Sequence, residues 1–207
     1  MYKRQLLGER GFHEGFAHNP NPKLIIEKLG ENFKIDTASL KKWSVGSPIQ
    51  SMMDAIEYLL KNNKFDHRDI TELVVDIPSD RYHIVNDREI LSISAQHLIA
   101  VHLIKKKMGY VEAHDEKLFN DPEVVSLRKK IKAVSSDELA IARPERQSKI
   151  RIKFSNNKEL FYHAKSVRGT PDNPMDEKDI VSKSKRLLEV FKTCLLYTSD
   201  AADEKRC

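Results

Sequence analysis

KKWSVGSPIQSMMDAIEYLL, residues 41–60, decides how the chain is read. Its apolar residues Ile49, Met52, Met53, Ile56, Leu59 and Leu60 recur with the 3.6-residue period of a helix that buries one face. Ser47-Pro48 opens that helix through about Leu60, because proline fits the first helical turn, where its missing N–H costs nothing. Upstream, Ser39–Trp43 reads as a short extended segment carrying Lys41 and Lys42, and Ser44–Ser47 as a turn of small residues. A lysine-bearing end leading into a helix N-terminus suits an anion. Free N–H groups and the helix dipole attract negative charge, while Ser47 and Lys41 add a hydrogen bond and a cation. The plainer meaning of the same residues is a helix cap beside a surface lysine.

Working outward, Thr71–Ile77 (TELVVDI) is an apolar run ended by Pro78 and reads as a buried strand. Ser94 stands at the cap of a helix over Ala95–Lys107, whose terminal lysines suit the negative end of the dipole before Gly109. Asp121-Pro122 opens a further helix to about Ile131. Lys149–Phe154 and Glu159–Lys165 alternate around Asn156-Asn157 as a hairpin. After RGTPDNPM (168–175), Asp176 caps a last helix running to about Phe191. Near the start, Asn21 and Pro22 begin a short helix, Lys23–Leu29, that Gly30 ends. Phe33–Ile35 is extended, and Leu6–Phe16 is a glycine-containing loop and helix. Strands and helices with no repeated βα unit make the fold class α+β, a small sheet with packed helices.

The two cysteines, Cys194 and Cys207, both fall near the C-terminus, and the genetic code explains why. One codon spelling of Met1–Gln5, with a GTG start, can be read on the opposite strand and shifted by one base. It then encodes Cys-Leu-Leu-Tyr-Thr, the residues Cys194–Thr198. A single DNA element in opposite orientations accounts for both ends, and it resembles the mosaic end of a transposon-based sequencing library. Residues 1–5 and 194–207 are therefore expected to be adaptor-derived and stand apart from the fold. On this reading Met1 is not a native start. Residues 6–193 hold no cysteine, which removes disulfides, thiolate nucleophiles and zinc–cysteine sites together.

The 207 residues are 32% charged and 40% hydrophobic, which suits a globular chain and excludes collagen, wholesale disorder and a disulfide miniprotein. No apolar run approaches the roughly 18–20 residues of a membrane span. With no signal peptide at the start, the expected location is the cytoplasm, without membrane partners. Net charge is +5. Removing Lys3, Arg4, Lys205 and Arg206 from 36 basic residues, and Asp200, Asp203 and Glu204 from 31 acidic ones, leaves +4. Lys105-Lys106-Lys107 and Lys129-Lys130 sit in helix-like sequence and read as solvated faces. The alternative is a basic module that binds nucleic acid or another anion without catalysis. The sequence lacks the aromatic–basic interleaving of single-strand binders, so no nucleic-acid partner is expected. His97 and His102 lie five apart, roughly 140° around a helix, and cannot share a metal as an i,i+4 pair would. His97 reads as structural. The HExxH, G-x-S-x-G and P-loop patterns are absent, so no metal is expected.

KKWSVGSPIQSMMDAIEYLL (41–60), ISAQHLIAVHLI (93–104) and SVRGTPDNPMDEKDI (166–180), in that order, resemble the C-terminal half of the MmgE/PrpD family. LLGERGFHEGFAHNP (6–20) resembles the family's glycine-containing passage from helical domain to lid. The family includes 2-methylcitrate dehydratase, cis-aconitate decarboxylase and iminodisuccinate epimerase. The resemblance spans nearly all of 6–193 and implies a large all-helical domain joined to a smaller α+β lid, with the active site in the cleft between them. It assigns 6–31 to the helical domain and the passage, 32–168 to the lid, and 169–193 to a helix returning towards a mostly missing helical domain.

The chemistry implied is proton abstraction next to a carboxylate of a small polycarboxylate such as 2-methylcitrate, then loss of hydroxide or reprotonation. That is a lyase (dehydratase) or isomerase, homodimeric at full length, with this piece inactive alone and no cofactor. Lys41 matches the lysine that opens the lid-side active-site segment, where it binds a carboxylate or stabilises developing charge. Ser47, Gln50 and the backbone at Gly46 are implied to orient the substrate. Gly46 stands where cis-aconitate decarboxylase has a histidine, and Gln50 where many members have one. These departures point away from decarboxylation, towards a subgroup with another substrate or proton carrier. A lid parted from its partner domain is further expected to leave apolar surface uncovered, on the Gly46–Leu60 helix or on the last helix.

Overall fold

Four strands build one sheet: β1 Ile70–Pro78, β2 Ile131–Ser136, β3 Ser148–Phe154 and β4 Glu159–Ala164. The computed structural model describes residues 5, 8, 11–16, 18, 19, 21 and 23–190, in two compact units, Met1–Ala38 and Ser39–Cys207. Among its described residues the first unit shows the short helices α1 Phe12–Phe16 and α2 Lys23–Ile26. The helix expected to reach Leu29 stops at Ile26, with Lys28 and Gly30 in left-handed conformations. Lys34–Thr37 is a 3-10 turn where an extended segment is expected. Its backbone bonds are local, from Asp36 N–H to Phe33 C=O and from Ala38 N–H to Ile35 C=O.

The second unit carries the sheet in the order β2-β1-β3-β4, an α+β arrangement. β1 and β2 are parallel, while β1–β3 and β3–β4 are antiparallel. A parallel pair needs a long crossover. Residues 79–130 supply it as α4 Ser79–Val85, α5 Ala95–Lys105, α6 Tyr110–His114, α7 Glu116–Phe119 and α8 Pro122–Arg128. Ahead of the sheet lies α3 Gln50–Asn62, and after it come α9 Asp137–Ile141 and α10 Glu177–Val190. Asp121 caps α8 by accepting from Glu123 and Val124 N–H. Asp176 caps α10 by accepting from Asp179 N–H at 2.8 Å. Ser94 occupies the N-cap of α5 without a side-chain capping bond. The α5 helix stops at Lys105 rather than Lys107, with Lys106 left-handed at φ 54°. Phe191 lies outside the described residues.

β1 alternates. Leu73, Val75 and Ile77 are buried, whereas Glu72, Val74 and Asp76 lie towards the other face. The expected buried strand is buried on one face, because α3 and α5 pack side by side there, α3 over β3 and β4 and α5 beside β2. Met52, Met53, Ile56 and Leu59 of α3 meet Ile150 and Ile152 of β3 and Leu98 and Ile99 of α5 in one core. The opposite face is a charged lattice in which Glu72 pairs with Lys132 at 2.6 Å and with Lys153 at 3.7 Å. Of the two helices expected to expose apolar surface, α3 is covered except at Tyr58. α10 is not: Ile180, Val181, Leu188 and Val190 are all exposed and none of its residues is buried. No helix among the described residues is long and apolar enough to cross a membrane.

Two histidines of α5 sit inside this core, with no partner for either ring nitrogen of His97 or for Nδ1 of His102 among the described residues. Burial lowers both to about 4, aided at His97 by Arg128. Their folded-state values lie below the unfolded one near 6.5, so the unfolded chain binds more protons between pH 6.5 and 4. The stability linked to the neutral rings is full above pH 6.5 and is lost as pH falls towards 4, by roughly 3 kcal/mol for each ring. Urea melts across this range should show that fall, and His97→Leu or His102→Leu should flatten it. An unchanged slope in both variants would contradict the assignment.

Candidate functional site

The segment Leu40–Ser47 belongs to no strand, contrary to the extended reading of Ser39–Trp43, and its hydrogen bonds go elsewhere. Leu40 N–H donates to the Gly169 carbonyl at 2.7 Å. Gly169 has φ +96°, and a Cβ there would lie 1.8 Å from the Leu40 carbonyl oxygen, so only glycine fits. Trp43 N–H donates to Gln50 Oε1 at 3.1 Å, while Gln50 Nε2 donates to the Trp43 and Val45 carbonyls at 2.9 and 3.1 Å. Gly46 N–H donates to the Ser92 carbonyl at 2.7 Å. A Cβ on Gly46 would meet Ile93 Cγ2 at 2.7 Å, so Ile93 fills the space a side chain would need.

Asp54 of α3 joins the remaining pieces. Its Oδ1 accepts from the Trp43 indole at 2.8 Å and its Oδ2 from Arg168 N–H at 2.9 Å. The Arg168 side chain in turn donates to Asp179 of α10 and to Asn173. Burial pushes the Asp54 carboxyl above the ordinary carboxylate range, against the pull of the two N–H donors and Lys42.

On this held backbone the lysines differ. Lys42 Nζ bonds Glu57 at 2.5 Å and lies 4.6 Å from the centre of the Trp43 ring. Burial raises the Glu57 carboxyl, but Lys42 and Lys61 outweigh it and hold the group below the usual range. The Lys41 side chain is exposed and forms no ion pair among the described residues. Its carbonyl accepts from Lys183 of α10, whose ammonium is lowered by burial and by the charges of Lys41 and Arg186.

The helix start offers fewer free donors than its sequence suggests. Ser47–Ile49 is a 3-10 turn in which Pro48 has no N–H, Ile49 N–H bonds the Gly46 carbonyl, and Gln50 N–H bonds the Ser47 carbonyl. Gln50 is buried, and its three side-chain bonds all go to backbone. Ser47 Oγ accepts from Arg146 Nη1 at 2.7 Å, a partner 99 residues away that no local pattern announces. Asp54 likewise reads as a helix polar position until Trp43 and Arg168 are seen on it.

Three concavities lie beside the segment and its supports, one of them of about 430 Å³ and lined by Lys42, Asp54, Arg168 and Asn173 among others. A hollow of about 520 Å³ is lined by Ser39, Arg143, Glu145, Arg146, Thr170 and Asp172, among others. A cleft of about 590 Å³ includes Trp43, Glu57, Lys64, His102, Lys106 and Arg186. The cleft sits at the C-terminal ends of α3 and α5, where lysines complement the carbonyl end of the dipole and an anion is disfavoured. Part of the basic sequence is also tied down, Lys107 to Glu112 at 2.7 Å and Lys130 to the Ile70 carbonyl at 2.6 Å.

The sequence profile of the MmgE/PrpD C-terminal domain matches residues 43–195. No curated protein matches the chain.

Trp43 is the only tryptophan and reports directly on this segment. Gln50→Leu removes three hydrogen bonds at nearly constant volume. It should cost about 2–4 kcal/mol in urea denaturation and shift Trp43 emission to the red, with helix content retained by far-UV circular dichroism. Wild-type emission in the variant would show that Gln50 does not hold the segment.

Proposed function

Because the chain belongs to the MmgE/PrpD family, an enzymatic family whose C-terminal domain it carries, we propose that it supplies the lid side of an active site for a small polycarboxylate. The reaction is dehydration or isomerisation: a proton leaves the carbon next to a carboxylate, and hydroxide loss or reprotonation follows. Lys41 binds a carboxylate or neutralises the enolate-like charge that develops as the proton leaves. The general base comes from the family's helical domain.

Lys41 is the observation that supports this reading most. Its ammonium is exposed and unpaired among the described residues, on backbone bonded to Gly169 on one side and clamped by Gln50 on the other. A cation on an ordered support costs little reorganisation when charge develops, which a lysine on a loose loop would not achieve. Ser47 orients the substrate end nearest the helix. Gln50 is a positioning residue, since its amide is committed to residues 43–45. Gly46 keeps the turn narrow enough to bond Ser92, and the packing of Ile93 leaves no room for the histidine of the decarboxylase pattern. That favours hydroxide loss or proton return over loss of carbon dioxide.

The test is a gene from the same source that encodes both family domains, assayed on 2-methylcitrate and related acids. Lys41→Ala should lower kcat/KM at least 100-fold, and Lys41→Arg should recover part of the loss in KM. Unchanged turnover in Lys41→Ala would remove Lys41 from the site.

A further inference from the structure

We infer that Arg146 is a second carboxylate anchor of the same site, selecting substrates with two or more carboxylates over those with one. This rests on the reading of Lys41 as a carboxylate-binding group. Arg146 carries two costs at once. Its backbone is left-handed at φ 65°, a conformation that favours glycine or asparagine. Its guanidinium is also partly buried yet forms no ion pair among the described residues.

The bond to Ser47 Oγ uses one of five N–H donors and is the only side-chain bond of Arg146 among the described residues. The neighbouring Arg143 is already occupied, donating to the Ile141 and Ala142 carbonyls with Glu145 at 3.9 Å. Glu145 and Asp172 also line the hollow, so it does not attract anions as a whole. What recognises a carboxylate is the planar fork of Arg146, fixed by Ser47 and left with parallel donors for a bidentate pair.

The placement links the two anchors. Ser47 is on the held segment six residues after Lys41, and Ser39 of the hollow is two residues before it. Loop 143–147 and segment 39–47 thereby meet at the Arg146–Ser47 bond, the loop bringing a fork, Arg146, and the segment a point charge, Lys41. A monocarboxylate can use only one of them.

Isothermal titration of the 207-residue chain with citrate and with acetate tests this. Citrate should bind at least tenfold more tightly than acetate. Arg146→Gly and Arg146→Lys should each weaken citrate at least tenfold, the first by removing the charge and the second by removing the fork. Arg146→Gly suits the left-handed backbone, so its thermal midpoint should be unchanged or higher and lost binding cannot be put down to unfolding. The inference is overturned if wild type does not bind citrate, if acetate binds as well as citrate, or if either Arg146 variant binds citrate like wild type. Loss of binding in Lys41→Ala with wild-type binding in Arg146→Gly would sink this inference and leave the function reading standing. Wild-type citrate binding in Lys41→Ala would remove Lys41 from the site and overturn the two-anchor inference with it.

Discussion

Leu40–Ser47 has no sheet ladder or helix of its own, so its position depends on backbone N–H groups finding acceptors elsewhere. Leu40 N–H finds Gly169, Trp43 N–H finds Gln50 and Gly46 N–H finds Ser92. On the facing loop, Arg168 N–H finds Asp54 and Gly169 N–H finds Asn173. An irregular segment pinned at three of its amides in this way is a support, not a hinge, and the placement of Lys41 and Ser47 follows from it. The Trp43 ring closes the assembly from below: it is buried, bonded to Asp54, flanked by Lys42 and 5.2 Å from the His102 ring.

This explains why stretches far apart in sequence belong to one pattern. Residues 41–60 provide the segment and the helix whose Gln50 and Asp54 hold it. Residues 92–104 provide Ser92, Ile93 and His102 on one side. Residues 166–180 provide Arg168, Gly169 and Asp179 on the other. The sheet beneath is a platform covered on one face by α3 and α5. The apolar residues Ile180, Val181, Leu188 and Val190 of α10 stay exposed.

Much of the fold is written in local periodicity. The apolar spacing of α3, the Ser94 cap and terminal lysines of α5, the Asp-Pro start of α8 and the alternation around Asn156-Asn157 reflect forces acting within a few residues, and the elements lie close to where those signals place them. β2 is hidden because IKAVSS follows a helix without a breaker, and it becomes a strand only by pairing in parallel with β1, about 60 residues earlier in the chain. α9 is too short to show a period. Lys41, Ser47, Gln50 and Gly46 stand out in the sequence as residue types, but their duties do not. Only the tertiary bonds show that the Gln50 amide is committed to backbone, and only the return of loop 143–147 puts Arg146 on Ser47.

The central physical claim is that segment 40–47 and loop 168–169 form one cross-bonded support. Amide hydrogen exchange of Leu40, Trp43, Gly46, Arg168 and Gly169, compared between wild type and Asp54→Asn, tests it most directly. In wild type these amides should be protected nearly as well as those of β1, with a joint fall across them in the variant while β1 stays protected. Exchange at free-loop rates in wild type, or a fall confined to Arg168, would contradict it.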